Sequence, residues 1–286
     1  MTNLQYDLDY ALRNIDKDSD ECGYVVMNGK HNPYDRYMSN DSWCAFLEDM
    51  TKQYIRHYDS YKDGSGGEIK EGKYPPKMAC YGSSSRFIYL LLRDVADITF
   101  ESPLDTKVGG TAYLDACLCK EDTEIFIEAK CREIYGSKNK SVKRAYMPVY
   151  DAIAKSVGDI YTNEGDIKGD KNRFKCEFKY KCSPIEHLDF KQLICHFLAI
   201  SANYLTNDDA KNKLRFIYLI YNPSELGIDA LTVVYEQTIK EIGKVDMQEL
   251  FNAVFEFQKK NLNATKDMPD FEFVLADQTN IRNFSY

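Results

Sequence analysis

Thr111-Ala112-Tyr113-Leu114-Asp115-Ala116-Cys117-Leu118-Cys119 is followed, after the polar break Lys120-Glu121-Asp122-Thr123, by Glu124-Ile125-Phe126-Ile127-Glu128-Ala129-Lys130-Cys131. The two runs read as β-strands joined by a turn of hairpin length. With a tight turn between antiparallel strands, Cys119 faces Glu124, Cys117 faces Phe126, and Asp115 faces Glu128. One register then sets two carboxylates side by side. Strand residues two apart share a face, so Lys130 joins Glu128 while Ile127 and Ala129 point the other way. Two carboxylates about 4 Å apart repel by roughly 4 kcal/mol at an effective dielectric of about 20. An ionised acid in a weakly polar strand such as Leu114-Asp115-Ala116 also needs a partner. Lys130 offers one positive charge. A divalent ion offers two, takes oxygens from both acids and keeps positions open for water and a substrate phosphate, which makes Mg²⁺ or Mn²⁺ the expected cofactor. Such a site predicts hydrolysis of a nucleic-acid backbone, the cation polarising the phosphodiester and Lys130 orienting water or balancing developing charge.

Working outward, Ser83-Ser84-Ser85 supplies N-caps for a helix over Arg86–Val95, in which Phe87, Leu90, Leu91 and Val95 recur at helical spacing. A first strand follows at Ile98–Glu101. Upstream, a helix is predicted around Ser42–Tyr58, and Asp63-Gly64-Ser65-Gly66-Gly67, followed by Pro75-Pro76, reads as a mobile loop entering the core. Downstream, Ser183-Pro184-Ile185-Glu186 has the form of a capping box with proline at the first helical position, so a helix is predicted from there to about Tyr204. Leu214–Tyr221 is a β-rich apolar run ended by Asn222-Pro223. The remainder is read as one amphipathic helix, Met247–Lys259, and a last strand near Phe271–Leu275. The fold class expected is α/β (α+β): a central mixed sheet of four to five strands flanked by helices. Residues 1–80 form an N-terminal helical and loop extension, residues 81–222 the core, with a basic insertion at 137–181, and residues 223–286 a C-terminal extension packed on it.

The order of helix, strand, strand with aspartate, strand with Glu-x-Lys, helix and strand resembles the PD-(D/E)XK nuclease superfamily, whose fold is restriction-endonuclease-like. The resemblance spans about Tyr81–Tyr221 and rests on Leu114-Asp115 and Glu128-Ala129-Lys130. Ser83-Ser84-Ser85, Phe100-Glu101 and Gln192-Leu193 are further similar to a bacterial subgroup of restriction-type endonucleases. It implies that Asp115 and Glu128 hold the metal and Lys130 is catalytic. Glu101 resembles the family's additional upstream acid, and Gln192 matches a glutamine near the active site. Leu114 stands where the family's name-giving motif has proline. The implied activity is Mg²⁺-dependent endonucleolytic cleavage of DNA, in restriction, defence or repair. Enzymes of this kind often pair so that two sites reach both strands, which makes a homodimer a partner to test.

Composition narrows the alternatives. The 286 residues carry a net charge of -8, which speaks against a phosphate-binding surface until its distribution is read. Between Ser137 and Lys181 eleven Lys or Arg face six acids, a local balance of +5. Lys138, Lys140, Lys143 and Arg144 lead that stretch and, with Ser83, are the expected nucleic-acid contacts; a solvated, charge-rich insertion is the plainer reading. Nine cysteines without a C-x-x-C pair predict reduced thiols, with Cys117 and Cys119 as core-filling residues. His31, His57, His187 and His196 lack zinc-site spacing. The longest apolar runs, Phe87–Leu92 and Phe216–Tyr221, fall short of the roughly 20 residues of a membrane span. No secretory pattern opens the chain, so the cytoplasm is the expected location. The 22 tyrosines include candidates for stacking on bases. Two competitors remain: a non-catalytic member of the same fold that binds nucleic acid or protein, and an unrelated mixed α/β protein in which Asp115 and Glu128 lie far apart.

Overall fold

The hairpin at residues 111–131 sits in the middle of a five-stranded sheet in the computed structural model. The structure describes residues 3–15, 23–27, 30–38, 40–64, 68–69, 76–136, 141–167 and 169–281. In chain order, helix α1 (Asn3–Ile15) precedes the two-stranded ribbon β1 (Gly23–Met27) and β2 (Lys30–Tyr37), and then α2 (Asn40–Gln53), α3 (Ile55–Asp63) and α4 (Ser84–Leu92). Strands β3 (Thr99–Asp105), β4 (Thr111–Lys120) and β5 (Thr123–Lys130) follow. Next come β6 (Ser141–Lys143), α5 (Met147–Val157), β7 (Tyr161–Ile167), β8 (Asp170–Tyr180) and β9 (Ser183–Pro184). Helix α6 (Phe190–Thr206), β10 (Lys213–Ile220), α7 (Asp229–Ile242), α8 (Met247–Asn261) and β11 (Asp270–Ala276) complete the chain.

The central sheet has the order β11-β10-β5-β4-β3. Strands β3, β4 and β5 form an antiparallel meander, whereas β10 runs parallel to both β5 and β11. A parallel strand needs both faces covered, and both are. Ile125, Ile127, Ala129, Ile217 and Leu219 pack with Trp43, Met50, Tyr61, Ile88 and Tyr89 of α2, α3 and α4. On the opposite face Phe126, Phe216 and Tyr218 pack with α5, α6 and α8. There the Phe251 and Phe271 rings stack at 3.7 Å, and Phe197 meets Phe216, Phe251 and Phe271 edge-on at 5.3–5.5 Å. Each buried ring of this kind contributes about 1.5–3 kcal/mol, so the aromatic layer fixes α6 and α8 on the sheet. Among the described residues no helix is long and apolar enough to cross a membrane.

Several expectations are corrected. The helix expected around Ser42–Tyr58 breaks at Tyr54 into α2 and α3. Ser183-Pro184 does not start a helix: it pairs with Lys179 and Tyr180 as β9, and α6 begins only at Phe190, capped by the Asp189 side chain on the Gln192 amide at 3.1 Å. The C-terminal part holds two long helices, α7 as well as α8. The 137–181 stretch is more than a solvated insertion. It carries the second sheet β6-β8-β7, and Val142, Val149, Tyr150, Ile153, Phe174 and Cys176 enter the core. Of the glycine-rich loop, residues 65–67 lie outside the described residues. The eight described cysteines form no disulfide with one another; Cys117 packs at the core edge, but Cys119, expected to fill the core, is exposed.

Candidate active site

The Ser83 hydroxyl caps α4 by accepting from the Arg86 amide, and this helix lies under the sheet where the site forms. The β4–β5 hairpin turns through Glu121-Asp122, with Glu121 at φ +52. Its register starts as expected, with Lys120 opposite Thr123, Cys119 opposite Glu124 and Cys117 opposite Phe126. It ends at Ala116 opposite Ile127, one residue short of the expected pairing of Asp115 with Glu128. The Asp115 carboxylate instead accepts from the Ala129 amide at 2.7 Å. From there Thr111–Leu114 stay with β3 while Glu128–Lys130 stay with β10, so the two strands part.

The parting has a local cause. Ala116 and Leu118 face the α2–α4 layer, yet Leu114, of the same parity, packs in the α5–α8 layer. The alternation of β4 therefore changes phase at Asp115. Strand β3 does the same at Glu101, with Phe100 in one layer and Leu104 against the other. Glu101 adopts φ +50, and the 101/115 level is missing between the pairs Phe100–Ala116 and Ser102–Leu114. A positive φ at a non-glycine residue is a strained conformation of the kind that gathers at functional sites.

Where the strands part, a cleft of about 630 Å³ is lined by Asp115, Glu128, Lys130, Glu101, Gln192 and Ser83, all expected from sequence. Lys130 Nζ donates to Glu128 Oε1 at 2.5 Å and to Gln192 Oε1 at 2.6 Å. Gln192 and His196 are four apart on α6 and so share its sheet-facing side. The His196 Nε2 atom lies 3.0 Å from Glu128 Oε2, but the pair is not aligned as a hydrogen bond, and Glu128 Oε2 and both ring nitrogens are buried without a hydrogen-bond partner. Burial opposes charge on Glu128, yet Lys130 and His196 outweigh it and hold its carboxyl at about 2. Lys130 is likewise disfavoured by burial, and Glu128 more than restores it, raising its pKa. Asp115 goes the other way: burial first, then the negative Glu128, push its carboxyl well above the ordinary range. In this state the site holds a tight ion pair beside an acid that resists ionisation.

Other expected contacts fall elsewhere. Lys143 is exposed at the end of β6, beside Gln192 in an adjoining cavity. Arg144 is engaged with Asp166 and with the Lys171 carbonyl. Lys138 and Lys140 lie outside the described residues. The cleft wall also carries His196, Glu68, Lys77, Arg132 and Glu133, none of them anticipated from sequence. For His196 a signal existed in its i, i+4 spacing from Gln192; Lys77, Arg132 and Glu133 arrive from single 3-10 turns and Glu68 from a loop, all too short to show a periodicity in the sequence. Comparison with protein-family models, curated proteins and solved structures gives no match.

Proposed function

We propose that the chain is a metal-dependent phosphodiester hydrolase. Within that class, it is read as a DNA endonuclease of the PD-(D/E)XK type, with restriction, defence or repair as its setting. The observation that carries the reading is the meeting of Asp115, Glu128, Lys130 and Gln192 in one cleft where β4 and β5 part. The donors suit a hard divalent ion: Glu128 has a buried oxygen without a hydrogen bond, and Asp115 is kept from ionising by burial and by Glu128, which a cation would reverse. Among the described residues no three or more His, Cys, Asp or Glu side chains converge to enclose an ion; Mg²⁺ needs only one or two carboxylates and keeps water elsewhere. Asp115 and Glu128 would hold it, with Glu101 at the cleft wall. When bound, the ion supplies Lewis acidity toward the phosphodiester and a more acidic water.

The chain's own groups do the rest. Lys130 presents an ammonium to charge developing on the phosphate oxygens. Gln192 fixes that ammonium by accepting from it, and the α6 face carrying Gln192 and His196 closes one side of the cleft. The closed Lys130–Glu128 pair favours the competing reading, a protein of this architecture that binds without cutting.

Calorimetry with Mn²⁺ on the wild type and Asp115→Asn separates the two, because a metal site loses affinity when one ligand is neutralised. Purified protein with Mn²⁺ is expected to nick supercoiled plasmid DNA, and Lys130→Met to cut at least about 100-fold more slowly. Equal cutting by both proteins assigns the activity to a contaminant, and absence of Mn²⁺ binding to the wild type ends the enzyme reading.

A further inference from the structure

Beside the cleft, and sharing Thr111, Gln192 and Cys195 with it, lies a second cavity of about 340 Å³. This is at the lower end of the roughly 300–1,000 Å³ of small-ligand pockets. Its wall brings together three cations from three elements: Lys143 of β6, Arg173 of β8 and Lys191 of α6. No ion pair among the described residues involves any of them, and Arg173 donates to the Ser141 hydroxyl at 3.2 Å. The one acid among the described residues of the wall, Asp189, already caps α6. In a chain of net charge -8, three cations without acidic partners around one cavity are a place built for an anion. The wall also carries Tyr146, whose hydroxyl sits 3.4 Å from the Cys195 sulfur and so ties the cavity to the cleft.

We propose that this cavity is a nucleotide subsite: it takes one nucleotide unit of the strand whose phosphodiester lies in the neighbouring cleft, its phosphate among Lys143, Arg173 and Lys191 and its base against Tyr146. The three cations neutralise phosphate charge, and an aromatic ring accepts any base because every base has a π-face. The inference rests on the nucleic-acid reading of the cleft but not on catalysis. The second sheet, which by sequence alone reads as a charged insertion, thereby acquires the task of steering the strand toward Lys130.

The test is fluorescence anisotropy with a labelled single-stranded oligonucleotide of mixed sequence, run without metal at several salt concentrations. Wild type is compared with Lys143→Gln/Arg173→Gln and, separately, with Lys191→Gln; each variant's melting curve verifies folding. The double variant is expected to bind about 10-fold or more weakly, with a salt slope shallower by roughly 0.7 for each phosphate no longer neutralised. A free deoxynucleoside 5′-monophosphate is expected to compete only at far higher concentration than the oligonucleotide. Unchanged affinity and slope in both variants overturn the subsite, and so does a free mononucleotide that binds more tightly than the strand. Mn²⁺ binding and cleavage are read separately, so failure of the subsite leaves the hydrolase reading standing, and failure of catalysis leaves the subsite standing.

Discussion

Asp115 is held in surroundings that favour its neutral form, and this has a measurable cost in stability. Its folded pKa is raised above the ordinary aspartate value, first by burial and then by Glu128. A carboxyl raised in this way contributes stability that is fully present below its unfolded pKa and is lost as pH rises through the folded one. In chelator, the wild type is therefore expected to lose stability with rising pH across that window, and Asp115→Asn to lose less of it. Asparagine keeps an acceptor for the Ala129 amide, so at neutral pH the variant is expected to be the more stable protein. Urea midpoints against pH check this; equal slopes for the two proteins would refute it. Lys130 is the opposite case. Both it and Glu128 are buried, with side chains 6% and 2% exposed, so removing one partner strands a charge. Lys130→Ala is expected to cost about 3–5 kcal/mol, and Lys130→Met combined with Glu128→Gln to recover most of it. Denaturant unfolding of the two variants measures the difference.

At the scale of the element, the start of α6 shows why a strong local signal misled. Ser183-Pro184-Ile185-Glu186 fits a helix N-terminus, but the backbone amides that a helix start leaves free are claimed from far along the chain. The buried Glu241 carboxylate of α7 accepts from the amides of Glu186, His187 and Leu188 at 3.0, 2.7 and 3.0 Å. A partner 53–55 residues away has no local signature. The strand pair was legible because a tight turn and alternating burial are local facts, and they set Cys117 opposite Phe126. The phase change at Asp115 was not, since it depends on two strands yielding at one level. Glu241 has a testable weight. Hydrogen bonds to a charged group are worth about 1.5–3 kcal/mol each, so Glu241→Ala is expected to be markedly less stable than Glu241→Gln. Hydrogen exchange at residues 186–188 is expected to accelerate in the alanine variant; unchanged exchange would remove Glu241 from this role.

On the scale of the molecule, the sheet gathers pieces from the whole chain. Strand β11 from the C-terminal part pairs with β10, and α2 and α3 from the N-terminal part cover one face. The middle of the chain announced the site by Asp115 and Glu-x-Lys, whereas the flanking parts announced only helices and a strand. Ligand binding to the assembled site has a whole-molecule readout. If Mn²⁺ occupies the cleft, a concentration of about 100 times its Kd is expected to stabilise the fold by about 2.7 kcal/mol. That corresponds to roughly 2–4 °C per kcal/mol in melting temperature for a domain of about this size. A melting temperature insensitive to Mn²⁺ would mean that the folded state holds no such ion.

Strands β5, β10 and β11 run the same way. Their carboxyl ends consequently open onto one rim, where the Tyr221 amide donates to the Lys130 carbonyl at 2.8 Å and the Asn222 amide donates to Gln278. The segments leaving that rim are anchored in both apolar layers, Cys131, Ile134, Tyr135 and Tyr221 in one and Ile281 in the other. Recoding the exposed positions between those anchors, such as Ser224 and Thr279, changes the rim while leaving both layers intact, which makes it the ground on which a new ligand preference can be engineered.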